Sequence, residues 1–380
     1  MTHRHQSSLE GVLDFSDTPV VFGDAASRQH AEALFASLLA RLEADGDETL
    51  STDFRPVVMI RVMHQVSLSQ LSKDLFLRHF FESIGVDMAA DLASINIDNA
   101  RSGLVDFAQF LNTNFFGPLK VSALKTPQPT PATLSVPQLA PEQILPGSRS
   151  RVANLRRDCL IRDRHRCVIS RNFDEEEVIR RTKLHGENAA DDDGVRFVDM
   201  PETDEFEPLQ VAHILPHSLM NIGGDDEKSV ARRNALAILD MFDVGVRHLI
   251  EGSNIDRPTN ALTLRTNYHI AFGSFRTFFE AVDGQPHTYR IQAISQSRAR
   301  RPRQPVTRTL FMSETINPPL PRLLAIHAAI CRILHLSGAG EYWDRILWEA
   351  EGEMAKADGS TSLGVLTMLR LAGWWDGIVV

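Results

Sequence analysis

The stretch PLQVAHILPHSL, residues 208–219, opens as a short strand, places His213 where that strand ends, and then runs into Pro216. A buried strand gains little from an imidazole, because its polar nitrogens must find partners once they leave water. His213 is therefore either a satisfied core residue or one part of a site that the chain completes downstream.

The completing segment is NALTLRTNYHIAFGSFRTFF, residues 260–279. Leu262, Thr263 and Leu264 read as a half-buried strand, and Thr266 or Asn267 is placed to cap a following helix. On that helix Phe272, Phe275, Phe279 and Val282 would face a core, while His269, Gly273 and Arg276 would share a narrow arc of another face. The order is thus a strand ending in His213, Asn260 at the start of a second strand, and a helix presenting His269.

Strand, strand and helix with His, Asn and His in order resemble the HNH endonuclease family, the ββα-metal fold, and more narrowly the HNH nuclease domain proteins of filamentous fungi. The residues that carry the likeness are RDRHRCVISRNFD, VAHILPHSL and IDRPTNALTLRTNYHIAFGSF, with the helical tail LLAIHAAICRILHLSGAGEYWDRIL less firmly included. The resemblance implies an endonuclease that hydrolyses phosphodiester bonds of DNA, or less readily RNA, with one divalent cation, Mg²⁺, Mn²⁺ or Zn²⁺. It implies His213 as the general base, Asn260 as its orienter and His269 as a metal ligand, with Arg276, Arg265 and Arg166 as contacts to nucleic acid. These residue types suit the chemistry: an imidazole titrating near neutrality can take a proton from water, and a bound cation can polarise a phosphate.

The segment departs from the family at one position. The residue before the base histidine is commonly an acid or a histidine that binds the metal, and here it is Ala212, whose methyl group cannot. The substitute is His217, Asp256, Gln210 or water, with His217 first because it follows the same turn. Pro216 excludes a helical pair of metal-binding histidines there. A fold that has lost catalysis and binds nucleic acid or protein is the competing reading, and Ala212 favours it.

The rest of the chain supplies context. The length of 380 residues suits two or three domains, or one core with additions. The expected class is α+β, a small ββα-metal core with mainly helical flanks. Helical segments are expected at ASRQHAEALFASLLARL, LSQLSKDLFLRHFFESIG, VDMAADLASI and ARSGLVDFAQFLNTNF, which make residues 1–120 a helical N-terminal region. Six prolines between Thr126 and Ser150 mark residues 121–150 as a linker. Residues 151–295 form the nuclease segment, with a strand at RCVIS, an acidic mobile insertion and a helical insertion. An arginine-rich linker covers 296–317 and a helical C-terminal region 318–380, a further surface for a protein partner.

Net charge is −9, yet the charges are segregated. Residues 149–171 hold eight arginines against two acids, 298–308 five arginines against none, and 174–207 thirteen acids against four bases. Split arginine clusters suit a phosphate backbone read with little sequence preference. The run Asp191–Asp193 reads better as a solvated loop than as a chelator, and His327 with Cys331 as core packing. Three cysteines without a CxxC pair exclude a disulfide framework or a four-cysteine zinc site. No apolar run reaches the length of a membrane span, and the polar N-terminus is unlike a signal peptide, so the expected setting is intracellular, nucleus or cytoplasm.

Overall fold

The computed structural model describes residues 21–44, 46, 53–123, 149–201, 205–220, 226–294, 306–351 and 374. The Pro-rich linker from 124 onward, most of the arginine cluster before 306, and the segment LGVLTMLRLAG lie outside these residues.

Helix α1 (Ala25–Ala44) buries Leu34, Phe35, Leu38, Leu39 and Leu42 along one face, as the spacing by threes and fours requires. Helix α2 (Pro56–Val66) has no counterpart in the sequence reading. Its Val57, Met59, Ile60, Val62 and Met63 are all buried. Helix α3 (Gln70–Ile84) begins where the Ser69 side chain accepts from the backbone N–H of Ser72, and ends at Gly85 with φ +66°, a left-handed stop that suits glycine. The helix expected at VDMAADLASI is reduced to a single 3-10 turn, Leu92–Ser94. There Asp87 takes the N–H of Ala89 on its side chain, which competes with helix formation.

Helix α4 (Ile97–Leu111) passes through a π-helical turn at Asn112–Phe116 into α5 (Gly117–Ala123). A Cβ at Gly117 would sit 2.1 Å from the Trp343 ring, so only glycine admits the indole there. Trp343 also donates from Nε1 to Asn112 Oδ1 at 2.8 Å. It belongs to α12 (Ala339–Glu351), which follows α11 (Pro321–Ser337), and α11 packs against α2. The two helical flanks therefore close on each other and share one continuous apolar core with the middle of the chain.

That middle contains α6 (Arg149–Arg162), α7 (Glu175–His185), α8 (Asp226–Asp240), α9 (Arg247–Ile250) and α10 (Thr266–Gly273). Among the described residues its strands make three small sheets. β1 (Phe173–Asp174) runs parallel to β2 (Phe206–Glu207), and β3 (Leu209–His213) runs antiparallel to β4 (Ala261–Arg265) with His213 opposite Ala261. β5 (Thr277–Ala281), β6 (Thr288–Ala293) and β7 (Val306–Thr309) form an antiparallel meander. The class is α+β, with helical flanks around β3, β4 and α10.

Three local expectations are corrected. RCVIS is a turn, not a strand: only Arg166 bridges to Phe173, and Arg171 N–H returns to the carbonyl of Cys167. The helix of His269 stops at Gly273, and Phe275 turns the chain at φ +58° into β5. The aromatic and β-branched run that follows finds a better partner in β6 than in a further helical turn. Neither Thr266 nor Asn267 caps that helix, whose N-cap position is Arg265 without a side-chain bond.

The acidic insertion is folded rather than mobile in its described part. Asp191, Asp192 and Asp193 pair with Arg166, Arg181 and Arg164, and Asp192 also meets His165 Nδ1 at 2.8 Å. Arg164 and Arg166 of the basic segment are thus matched by carboxylates of the acidic one. All three cysteines are buried and free, and burial pushes the Cys159 thiol up to about 12. His327 and Cys331 are core residues, 1% and 0% exposed.

Candidate active site

Side chains alternate along a strand, so Val211 and Ala212 leave opposite faces of β3. Helix α6 covers the Val211 face, where Leu155, Cys159, Val211 and Ala261 form a small apolar cluster of their own. Helix α10 packs on both β3 and β4, and Phe272 joins Ala212, Leu262 and Leu264 in the main core. This is a two-stranded antiparallel unit followed directly by a helix, with a histidine at the end of the first strand and another on the helix.

The second strand is braced by a buried ion pair. Arg162 and Asp163 meet through two 2.8 Å hydrogen bonds, with side chains 0% and 1% exposed. Arg162 also donates to the carbonyls of Pro258 and Ala261, and Asp163 accepts from the N–H of Thr263. These additional bonds hold the start of β4. A buried pair tolerates desolvation only with such additional bonds.

Asn260 is fully buried and spends its amide on backbone. Its Oδ1 accepts from Leu215 N–H, and its Nδ2 donates to the carbonyls of Leu215 and Ile255, each at 3.0 Å. It does not bond the His213 ring, which corrects the expected role of direct orienter: all its bonds go to two stretches of main chain. Those stretches carry His213, two residues before Leu215, and Asp256, next to Ile255.

The groups so held converge. His213 Nε2 lies 3.2 Å from Asp256 Oδ1, with the two side chains 3% and 1% exposed. His217 Nε2 lies 3.8 Å from the other oxygen of Asp256, beyond hydrogen-bond reach. The His213 and His217 rings are 6.3 Å apart. His213 Nδ1 and His217 Nε2 are buried with no hydrogen-bond partner. His269 on α10 is 9% exposed, and burial first, then the proximity of His213, hold its imidazole below the usual histidine range. Burial also lowers the pKa of His217, against the pull of Asp256. Both are neutral imidazoles with a lone pair at physiological pH.

The three arginines expected to touch nucleic acid lie elsewhere or are engaged. Arg276 donates to Asp344 at 2.8 Å, Arg265 to Glu207 at 3.0 Å while lying over the Tyr268 ring, and Arg166 to Asp191. Each is paired with a carboxylate of its own chain, the opposite of a cation waiting for phosphate. Asp256 as the partner of His213 went unseen in the sequence reading, which weighed it only as a substitute ligand. Its one sequence signal is an acid four residues before Asn260, at the turn into the second strand.

The donors fit a cation only as an open site. Among the described residues no group of three or more His, Cys, Asp or Glu side chains is arranged to hold a metal. What exists is neutral imidazoles at His269 and His217, the latter with an orphaned Nε2, so most positions around an ion would fall to water and phosphate oxygens.

Comparison with known proteins agrees with this architecture. Residues 167–280 match the family model described as HNH endonuclease. No curated protein and no solved structure matches the chain, and the narrower likeness to fungal proteins has no match behind it.

Proposed function

We propose, taking residues 167–280 as an HNH domain, that the chain is a phosphodiesterase that cuts nucleic acid, DNA before RNA, with His213 as general base. The family match supports a nuclease-type or nucleic-acid-related function. The observation that carries the catalytic reading is the buried His213 Nδ1 with no partner, near Asp256, His217 and His269. A buried acceptor left unpaired costs about 1–3 kcal/mol, and such groups cluster where function requires them.

In the step proposed, Nδ1 takes a proton from water as the water oxygen attacks phosphorus. The P–O3′ bond breaks, and the departing oxygen is protonated from solvent. His269 and His217 are the residues that would hold the divalent cation the family uses, which when bound supplies charge neutralisation at the phosphate. Asn260 keeps the His213 turn in place. An intracellular setting, nucleus or cytoplasm, goes with this reading.

A second reading has two observations in its favour. Ala212 removes a ligand position, and His213 is 7% exposed in this structure, so a non-cutting module that binds nucleic acid or protein is the alternative. Plasmid nicking with Mg²⁺, Mn²⁺ and Zn²⁺ separates the two. Nicking that depends on added cation and on His213 supports the nuclease; tight binding without cutting under all three ions supports the alternative.

A further inference from the structure

We propose that Asp256 is the positioning residue for His213: by accepting from the ring it fixes the Nε2–H tautomer and leaves Nδ1 as the lone pair offered to the reacting water. This rests on the reading of His213 as the base.

A carboxylate can only accept hydrogen bonds, so at 3.2 Å the hydrogen between Asp256 Oδ1 and His213 Nε2 belongs to the imidazole. The neutral ring then has its free electron pair on Nδ1, the atom that finds no partner in the protein. Other imidazoles, at His64 and His287, also leave a buried ring nitrogen without a partner; at His213 the opposite nitrogen meets a buried carboxylate. When Nδ1 accepts a proton the ring becomes a cation, and the adjacent carboxylate stabilises that charge in a site with little water.

The geometry is held from both ends. His213 is fixed by its place opposite Ala261 in the β3–β4 ladder. Asp256 ends the 3-10 turn Gly252–Asp256, whose Ile255 carbonyl receives Asn260 Nδ2. Pro258 follows, restricting the residue before it, and its carbonyl is held by Arg162. Ile214 N–H donates to the Asn260 carbonyl at 2.8 Å, so the backbones bearing imidazole and carboxylate share one staple.

The test uses the full chain with ¹⁵N-labelled histidine and long-range ¹H–¹⁵N correlation at about pH 8, where an ordinary imidazole is neutral. Wild type should show His213 protonated at Nε2 and bare at Nδ1, and Asp256→Ala should lose that single-tautomer pattern. The isosteric Asp256→Asn, which keeps the volume and therefore the fold, should lose about 10²-fold or more in kcat with KM within about threefold. A wild-type His213 protonated at Nδ1, or an Asp256→Asn enzyme equal to wild type, overturns the proposal. Wild type inert on every nucleic acid refutes the nuclease reading instead, and the tautomer measurement then decides the role of Asp256 by itself.

Discussion

Asn260 reaches Leu215 with both ends of its amide, accepting from its N–H and donating to its carbonyl, each at 3.0 Å. One buried side chain thereby replaces a missing pair of main-chain bonds where β3 gives way to the Pro216 turn. Asn260→Ala would leave the Leu215 N–H and two carbonyls buried and unpaired. The expected loss in urea unfolding is about 3 kcal/mol or more. Asn260→Asp should be no better, because its oxygens would face the carbonyls of Leu215 and Ile255. Either variant with wild-type stability would show that the clamp is dispensable.

Arg162 and Asp163 give a second stability test. Arg162→Met leaves a buried carboxylate without its counter-charge and should cost about 3–5 kcal/mol, whereas replacing both residues by apolar ones should cost markedly less. Thermal unfolding of the two variants measures the difference. Equal losses would mean that the bonds to Pro258, Ala261 and Thr263 matter more than the pair itself.

Acid sensitivity follows from two buried histidines. Burial pushes His327 down to about 3 and His64 down to about 4. The unfolded chain therefore takes up these protons first, near the ordinary histidine value of about 6.5. Their stability is fully present above that pH and is lost as pH falls toward 3–4. For His327 the span corresponds to roughly 3–5 kcal/mol. His327→Gln, which can still donate to the Phe272 carbonyl that His327 Nε2 meets at 3.1 Å, should flatten the pH dependence of urea unfolding between about pH 6.5 and 4. An unchanged slope would place the acid sensitivity elsewhere.

How much of this was legible in the sequence depends on the range of the interaction. His213, His217, Asn260 and His269 could be picked out because strand, turn and helix patterns are local. The fates of Arg276, Arg265 and Arg166 could not, since their partners Asp344, Glu207 and Asp191 lie 68, 58 and 25 positions away. Charge segregation along the chain suggested an arginine surface for phosphate, but folding brings Asp193, Asp191 and Glu207 onto Arg164, Arg166 and Arg265. The stop of α10 at Gly273 was hidden for a similar reason: TFFEAV fits either period until β6 is beside it. Asp256 was visible as a residue and invisible as a partner.

The arginine pairing makes its own prediction. Arg276→Ala should leave affinity for a DNA duplex within about twofold and the salt dependence unchanged, because a cation already matched to Asp344 releases no phosphate counterion. A drop in the slope of log affinity against log salt by about one would restore Arg276 as a phosphate contact.

If His213 is the base of a phosphodiesterase, cation-dependent cutting needs its imidazole. Nicking of supercoiled plasmid by wild type and His213→Ala, with Mg²⁺, Mn²⁺ and Zn²⁺ each titrated, tests it most directly. The expected result is cation-dependent nicking by wild type that falls about 10²-fold or more in the variant. Equal nicking by the two proteins, or none by either under all three cations, would contradict it.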